Sequence, residues 1–367
     1  MYPNTHSGLE NSWRNNTIAA RHIVSKFTTI PPPDLSCFTL INNLELGAKV
    51  RVEKTLKPKI LFNQGTFYTL NNIALKTSKR SDTFNKYSTK MMSDLSQLWA
   101  LMHELGHWML GHCTLHKDST LEVKNLHLIT LFPSNKKNKN LTLDEKICLE
   151  LQADGTALEL MLYDSIFISS EHSLWSQYGQ IKDNSNMHID SVLPRVIAVL
   201  TASCTTVLLF ESKRLFSNKH SIEHPLPLTR LTNLVAIAFR VIISLFDLLE
   251  ISSNGKLILN KKADLNKNTV LQKIFISIIA AFFNLKPVID LLSIDLEDAD
   301  KRQFESLLDF ETKIPFFQNL QRYMIGAGIL HNLDSYHKKS IEEYIRVHKA
   351  QTLVNNRLRD NYSLIEI

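Results

Sequence analysis

The chain has 367 residues, of which 44% are hydrophobic, and it carries a formal net charge of +6 and only 10 glycines. This length predicts two to three structural units with a large buried core, and the scarcity of glycine suits a mainly helical protein. The positive charge is modest for this size and basic residues do not alternate with aromatic ones, so nucleic-acid binding is not indicated.

The cysteines and the apolar stretches bear on the compartment. The four cysteines lie in unrelated contexts without CxxC spacing, as a reducing cytosol allows: Cys37, Cys113, Cys148 and Cys204. Residues 1–16 are polar and lack the apolar core of a secretory signal. Three apolar stretches, at 196–210, 234–249 and 270–285, are 15 or 16 residues long, shorter than the roughly 20 needed to span a bilayer. We therefore expect buried core helices, no membrane span and a cytoplasmic protein.

The N-terminal region, residues 1–90, contains a predicted short helix around 17–26 and a proline run at 31–33. It also contains a predicted β-hairpin. An apolar run at 59–62 is followed by Asn63-Gln64-Gly65 as the turn and by a second apolar run that begins at Thr66.

The central motif is HELGH at residues 103–107, within a run of strong helix formers that contains no proline. Two histidines four residues apart on a helix lie about 40° apart around its axis, with their Cβ atoms roughly 6 Å apart. His103 and His107 can therefore bind one metal ion, whereas Glu104 lies beside that ion. The flanking residues are apolar, which predicts a buried helix that carries a zinc site.

A third ligand is expected from a second helix, which begins at a capping-box pattern, Thr142 to Glu145. Glu150 and Asp154 are four residues apart on this helix and share a face. That spacing suits a carboxylate ligand, Glu150, followed by a carboxylate that fixes the tautomer of a ligand histidine, Asp154. The alternative is a solvated acidic stripe on an amphipathic helix.

Other ligands near the HELGH motif are possible. On a continuous helix His112 lies about 180° from His103, so it is expected to face the helix C-terminal dipole instead of the same metal. Gly111 could end the helix and let the following residues turn back. In that case Cys113 or His116 would be the third ligand.

The pair HELGH and ELQAD resembles the gluzincin arrangement, which has HExxH on one helix and ExxAD on a later helix. The segment HPLPLTR at 224–230 is similar to the HP-x4-R segment of CAAX-processing and heat-shock zinc peptidases. HELGHWMLGH with ELQADGTALELM also resembles ImmA/IrrE peptidases, and the whole layout resembles the Lit-like phage-exclusion peptidases. The resemblance covers residues 95 to 231.

This resemblance implies a zinc ion held by His103, His107 and Glu150, which lowers the pKa of a bound water and polarises a substrate carbonyl. Glu104 is then the general base that takes the proton of the water and passes it to the leaving amine. Asp154 is expected to accept a hydrogen bond from the free ring N–H of a ligand histidine.

The resemblance also implies groups that bind the substrate. Arg230 and His224 are expected to donate to the developing oxyanion or to hold the substrate backbone, although the pair could also mark an ordinary helix start at a proline. Phe67 to Leu75 is the predicted edge strand for an extended substrate, with a plain structural strand as the alternative. Residues 117–141 are predicted to form a lid or a substrate-selecting insert.

We therefore expect a predominantly helical α+β fold: a zincin-like core at 91–231, a small sheet or hairpin in 1–90 and a helical region at 232–367. The last region either recognises the substrate or completes the core. The expected function is a zinc-dependent endopeptidase that acts on a specific cytosolic protein. The alternative is a non-proteolytic, metal-stabilised regulatory or partner-binding protein, and the intact Glu104 argues against it.

Overall fold

The computed structural model describes residues 6–52, 57–78, 88–115, 141–167, 172–178, 189–216, 225–245, 249–251, 257–259, 274–281, 285–294, 296–306 and 335–359. The elements in chain order are α1 (His6–Phe27), β1 (Phe38–Ile41), β2 (Ala48–Val52), β3 (Pro58–Asn63), α2 (Gln64–Ser78), α3 (Thr89–Met109), α4 (Leu143–Ile166), α5 (Leu174–Gln177), α6 (Ile189–Phe216), α7 (Pro227–Leu245), β4 (Leu249–Ile251), β5 (Leu257–Leu259), α8 (Lys286–Leu292), α9 (Asp298–Ser306) and α10 (Ser335–Arg359). The predicted α+β fold with a helical majority and a small sheet is confirmed.

The N-terminal sheet has the strand order β1-β3-β2. Strand β3 pairs in parallel with β1 and antiparallel with β2, and Ile60 stands opposite both Phe38 and Val50. Ile60 and Phe62 of β3 are fully buried, as expected of a central strand. Strand β2 is an edge of this sheet, and it is also the strand that packs most closely against α3. The sheet therefore has one edge beside the helix that carries HELGH.

The predicted hairpin after residue 62 is wrong, and so is the predicted edge strand Phe67 to Leu75, because residues 64–78 form helix α2. Buried Phe67, Leu70 and Ala74 recur at helical spacing on the face that packs against α3. This packing outweighs the local β propensity of the run. Gly65 permits the helix start, since a Cβ there would lie 2.0 Å from the carbonyl oxygen of Leu44.

Helix α3 is the centre of the core and packs against α1, α2, α4 and α6. Its Trp99 is fully buried, and every residue from Met91 to His107 is buried as well. The predicted helix around 17–26 is part of the longer α1, which packs against α3. The HELGH motif therefore lies in the interior of the fold, as its apolar flanks predict.

Among the described residues, two stretches are long and apolar enough to cross a membrane by length and composition alone, Val192–Lys213 and Ile274–Leu292. The second runs across residues 282–284, which the structure does not describe. The first has 22 residues, so the sequence-based length of 15 for this stretch was too short. Its apolar window is 83% buried inside the fold, as in a core helix, whereas the second window is 40% buried. The cytoplasmic location stays a prediction.

The C-terminal helix α10 packs against both α4 and α7. Glu343 of α10 accepts hydrogen bonds at the start of α7, at 3.0 Å from the backbone nitrogen of Leu226 and at 2.5 Å from the Thr229 hydroxyl. Arg346 pairs with Asp144 of α4 at 2.8 Å. The predicted boundary between residues 231 and 232 lies inside α7, which continues through it as one helix.

Helices α3 and α4 cross at very close range where Gly106 meets Ala153. A Cβ on Gly106 would lie 3.2 Å from the carbonyl oxygen of Ala153 and 3.3 Å from its Cα. The two small residues therefore let the backbones of the helices touch. This contact places Glu150 and Asp154, which flank Ala153, beside the histidines that flank Gly106.

We predict that Gly106→Ala destabilises the protein by about 1–3 kcal/mol, because the added methyl forces the two backbones apart. The matched change Gly8→Ala, on an exposed position of α1 with nothing within 4 Å of the added Cβ, is expected to stabilise it by about 0.4–1 kcal/mol. Urea unfolding of the two variants measures both values. Equal effects of the same sign would contradict the close crossing.

Candidate metal centre

The side chains that could bind a metal ion are carried by two helices. Ser88 begins α3 by accepting a hydrogen bond from the backbone nitrogen of Met91, and α3 then presents HELGH within an unbroken helical turn. Helix α4 begins with the predicted capping box, in which the side chains of Thr142 and Glu145 each bond the backbone of the other. The two caps fix where each helix begins and so fix the faces that meet at the crossing.

The two histidines and Glu150 gather around one point in the core. His103 Nε2 lies 3.2 Å from His107 Nε2 and 3.8 Å from Glu150 Oε2, and His107 Nε2 lies 3.8 Å from Glu150 Oε1. Ligands at about 2.1 Å from a tetrahedral zinc ion lie about 3.4 Å apart. The predicted ligands are therefore brought together at separations that suit a small metal ion.

Asp154 fixes the tautomer of His103. Its Oδ1 lies 2.9 Å from His103 Nδ1, and a carboxylate can only accept, so His103 donates through Nδ1. The Nε2 of His103 then carries the lone pair and faces His107 and Glu150. Burial lowers the pKa of His103, despite the nearby carboxylate of Asp154. This is the arrangement predicted for a carboxylate behind a ligand histidine.

Arg230 binds the same carboxylate from the other side. Its Nε and Nη2 donate to the two oxygens of Asp154 at 2.8 and 2.6 Å, and its Nη1 lies 3.4 Å from Glu211 Oε1. Burial raises the pKa of Asp154, but the Arg230 guanidinium and His103 together outweigh burial and hold the pKa below the ordinary value. Asp154 is therefore ionised and oriented inside the core.

Glu150 is a buried carboxyl whose two oxygens have no hydrogen-bond partner among the described residues. Burial raises its pKa well above the ordinary value, and the charge on Arg230 only partly offsets this. A buried carboxyl that faces an imidazole lone pair is costly unless a cation or a proton lies between them. The chemistry of these donors, two imidazole nitrogens and one carboxylate, fits a metal ion and is a set found in catalytic zinc sites.

Glu104 lies beside the cluster and is not one of its members. The backbone N–H of Val50, in edge strand β2, donates to its carboxyl group. Its other oxygen, Oε2, is buried and has no hydrogen-bond partner in the described part of the chain. Burial raises the pKa of Glu104 to about 8, and the Val50 hydrogen bond offsets only part of that rise. Such a carboxyl is a stronger base than an ordinary glutamate.

The remaining predicted residues have mixed outcomes. The guanidinium of Arg230 binds two carboxylates and lies behind the site, so a donation to an oxyanion stays a prediction without geometric support. His224, His116 and the predicted lid at 117–141 lie outside the described residues, except for Leu141. Cys113 Sγ lies 4.0 Å from the carbonyl oxygen of His107 and is not part of the cluster. Burial raises the pKa of Cys113 to about 12.

Several residues around the site were not predicted from the sequence to contact it, and His112 is one of them. Gly111 has φ of 73° and ends α3, so the chain turns back, and His112 Nδ1 lies 2.9 Å from His107 Nδ1. His112 therefore contacts His107, one of the candidate ligands, whereas the sequence suggested that it faces the helix-end dipole. Gln152, Asn355, Glu211 and Val50 also surround the site, and none of them belongs to a recognisable motif. The glycine at the end of the helix was the one signal that pointed to the turn.

Comparison of the chain with protein-family models, with curated proteins and with solved structures finds no match. The geometry of the site is therefore the basis on which a function is proposed.

We predict that the purified protein binds about one zinc ion per chain, lost on chelation, because three protein ligands surround one position. His107→Ala removes one ligand and is expected to reduce the bound metal to background. His348→Ala, on an exposed position of α10, is the matched control and should retain full metal. Metal analysis after gel filtration measures all three. Full metal content in His107→Ala would refute the site.

Metal binding should also release protons. Burial raises the pKa of both Glu150 and Glu104, so in the absence of a metal each carboxyl favours its protonated form more than an ordinary glutamate does. A bound cation favours the ionised form, so zinc affinity should increase as the pH rises from 6 to 8. Titration calorimetry in buffers of different ionisation enthalpy should show a net release of protons on zinc binding. Proton uptake, or an affinity independent of pH, would contradict the raised pKa values of these carboxyls.

Proposed function

We propose that the chain is a zinc-dependent endopeptidase. One observation carries this proposal: Glu104, a buried carboxyl with a raised pKa, lies next to a cluster of two imidazole nitrogens and one carboxylate without belonging to it. Three protein ligands leave a fourth position on a tetrahedral metal for a water. A purely structural metal site has four protein ligands and does not need a neighbouring base.

Zinc at this position would lower the pKa of a water and polarise the carbonyl of the scissile peptide bond. Glu104 takes the proton from this water and passes it to the nitrogen of the leaving amine. The hydrogen bond from Val50 leaves Oε2 of Glu104 available for that proton. Burial of the site strengthens each of these electrostatic interactions, because little water is present to screen them.

Asp154 and Arg230 support the reaction without touching the substrate. Asp154 holds His103 with Nδ1 protonated, so that its Nε2 stays available as a ligand. Arg230 keeps Asp154 ionised through two short hydrogen bonds. These buried contacts preorganise the ligand sphere before a substrate arrives.

The substrate of the proposed enzyme is a protein segment in extended conformation. Strand β2 takes the place of the wrongly predicted strand at 67–75, because β2 is an edge strand and its Val50 contacts Glu104 directly. A peptide added along such an edge would pass the general base with its backbone paired to the sheet. We retain the proposal of a specific cytosolic protein target, with α10 and its neighbours either recognising it or completing the core.

A second function is favoured by the burial of the centre. His103, Glu104, His107 and Glu150 are all between 0% and 2% exposed. A closed metal site of this kind suits a non-proteolytic protein whose fold is stabilised by metal and which binds a partner. The two functions differ in what Glu104 does, because only the peptidase needs the carboxylate as a base.

The test is a comparison of Glu104→Gln with Glu150→Ala. Glu104→Gln should retain zinc and lose at least about 100-fold in turnover, because the amide cannot accept a proton. Glu150→Ala should lose both zinc and turnover. Glu342→Gln, on the exposed face of α10 where the side chain is 64% exposed, is the matched control and should equal the wild type. New N-termini in a lysate, quantified by mass spectrometry, measure turnover, and a chelator competition measures zinc.

Two outcomes would contradict the proposal. Equal numbers of new N-termini for Glu104→Gln and the wild type would remove Glu104 as the base and favour the non-proteolytic protein. Full zinc in Glu150→Ala, together with loss of zinc in Cys113→Ala, would identify Cys113 as the third ligand.

A further inference from the structure

A chain of hydrogen-bonding groups connects the ligand His107 to the C-terminal helix. His107 Nδ1 lies 2.9 Å from His112 Nδ1, and His112 Nε2 lies 3.1 Å from Gln152 Oε1. Gln152 Nε2 then donates to Asn355 Oδ1 at 2.9 Å. The contacts run from α3 through the turn after it to α4 and finally to α10, across 203 residues of sequence between the last two members.

The direction of hydrogen bonding along this chain follows from the inventory of donors and acceptors. Asn355 Oδ1 can only accept, so the amide nitrogen of Gln152 faces it and Gln152 Oε1 faces His112. Because Gln152 Oε1 can only accept, His112 donates through Nε2. A neutral His112 then has its lone pair on Nδ1 and accepts the proton of His107 Nδ1. The Nε2 of His107 is left with a lone pair, and it faces His103 and Glu150.

We propose that Gln152 and Asn355 are positioning residues for the metal, which act through His112 to hold His107 in the tautomer and ring orientation that a metal ligand needs. The proposal deepens the proposed function and rests on its metal site. Asp154, a carboxylate, holds the tautomer and ring orientation of His103. For His107 the corresponding groups are neutral: His112, Gln152 and Asn355. Outer partners of this kind change metal affinity about 10- to 100-fold when they are removed.

Helix α10 does not touch the candidate metal site, but the hydrogen-bonded residues connect it to that site. His112 is fully buried, whereas Gln152 and Asn355 line a cleft of about 260 Å³ between α4, α7 and α10. Helix α10 also contacts the turn that carries His112. The docking of α10 therefore completes the hydrogen-bond chain, and the C-terminal helix tunes the affinity of the metal centre.

The test compares two substitutions at Gln152 with a control in the same cleft. Gln152→Met keeps the length of the side chain but removes the acceptor for His112, and it should weaken zinc binding by about 10-fold or more. Gln152→Glu keeps an acceptor for His112, and it should bind zinc at least as tightly as the wild type. Gln351 of α10 lines the same cleft but does not belong to the series of hydrogen-bonded residues from His107 to Asn355. Gln351→Met should therefore not change the affinity for zinc. Competition with a chromophoric chelator gives the dissociation constants.

A second readout does not need the metal. In the metal-free protein with ¹⁵N-labelled histidine, long-range ¹H–¹⁵N correlations should show the proton of His107 on Nδ1 and that of His112 on Nε2. In Gln152→Met the His107 ring should populate both tautomers. The d–d absorption of the cobalt-substituted protein should change in Gln152→Met and stay unchanged in Gln152→Glu and Gln351→Met.

The proposal is overturned if Gln152→Met binds zinc as tightly as Gln351→Met, or if His107 of the metal-free wild type carries its proton on Nε2. If Gln152→Met does not fold, Asn355→Leu replaces it, because this change removes only the group that orients Gln152. Asn355→Leu should weaken zinc binding several-fold, and unchanged affinity would equally overturn the proposal. Absence of peptidase activity in the wild type would contradict the proposed function alone, because these affinities and tautomers are measured without a substrate.

Discussion

The metal centre depends on how closely α3 and α4 approach each other. Gly106 lies between the two histidines of HELGH and packs on the backbone of Ala153, which lies between Glu150 and Asp154. Two small residues at the crossing allow side chains on either side of each helix to meet around one point. A larger residue at either position would separate the imidazoles from the carboxylate by the few tenths of an ångström that decide whether they can share a metal.

The second constraint is the charge in this crossing. Burying a carboxylate alone is costly, and the core around this crossing contains Glu104, Glu150, Asp154 and Glu211. Arg230 pairs with Asp154 and Glu211, and Asp154 in turn orients His103. Glu150 has no such partner among the described residues, so its charge is balanced only when a cation is present or when the carboxyl is protonated. The fold thus leaves one carboxylate of the centre uncompensated, at the place where a metal ion would lie.

The sequence predicts the parts of this site that depend on local spacing. HELGH and ELQAD each place two candidate side chains four residues apart on a helix. The capping box at Thr142 indicates where the second helix begins. The local pattern of residues 64–78 wrongly predicts β-structure. These residues form a helix because they pack against α3 and because Gly65 contacts a loop distant in sequence. The contacts of Gln152 with Asn355 and of Arg230 with Asp154 join residues far apart in sequence. No local pattern encodes those contacts.

The central claim is that His103, His107 and Glu150 hold one zinc ion while the nearby cysteine does not. X-ray absorption of the zinc-loaded protein tests this most directly, because it reports the ligand atoms themselves. We expect two imidazole ligands and oxygen ligands at about 2.0–2.2 Å, without a sulfur shell. A zinc–sulfur distance of about 2.3 Å, or a first shell that contains no imidazole, would contradict it.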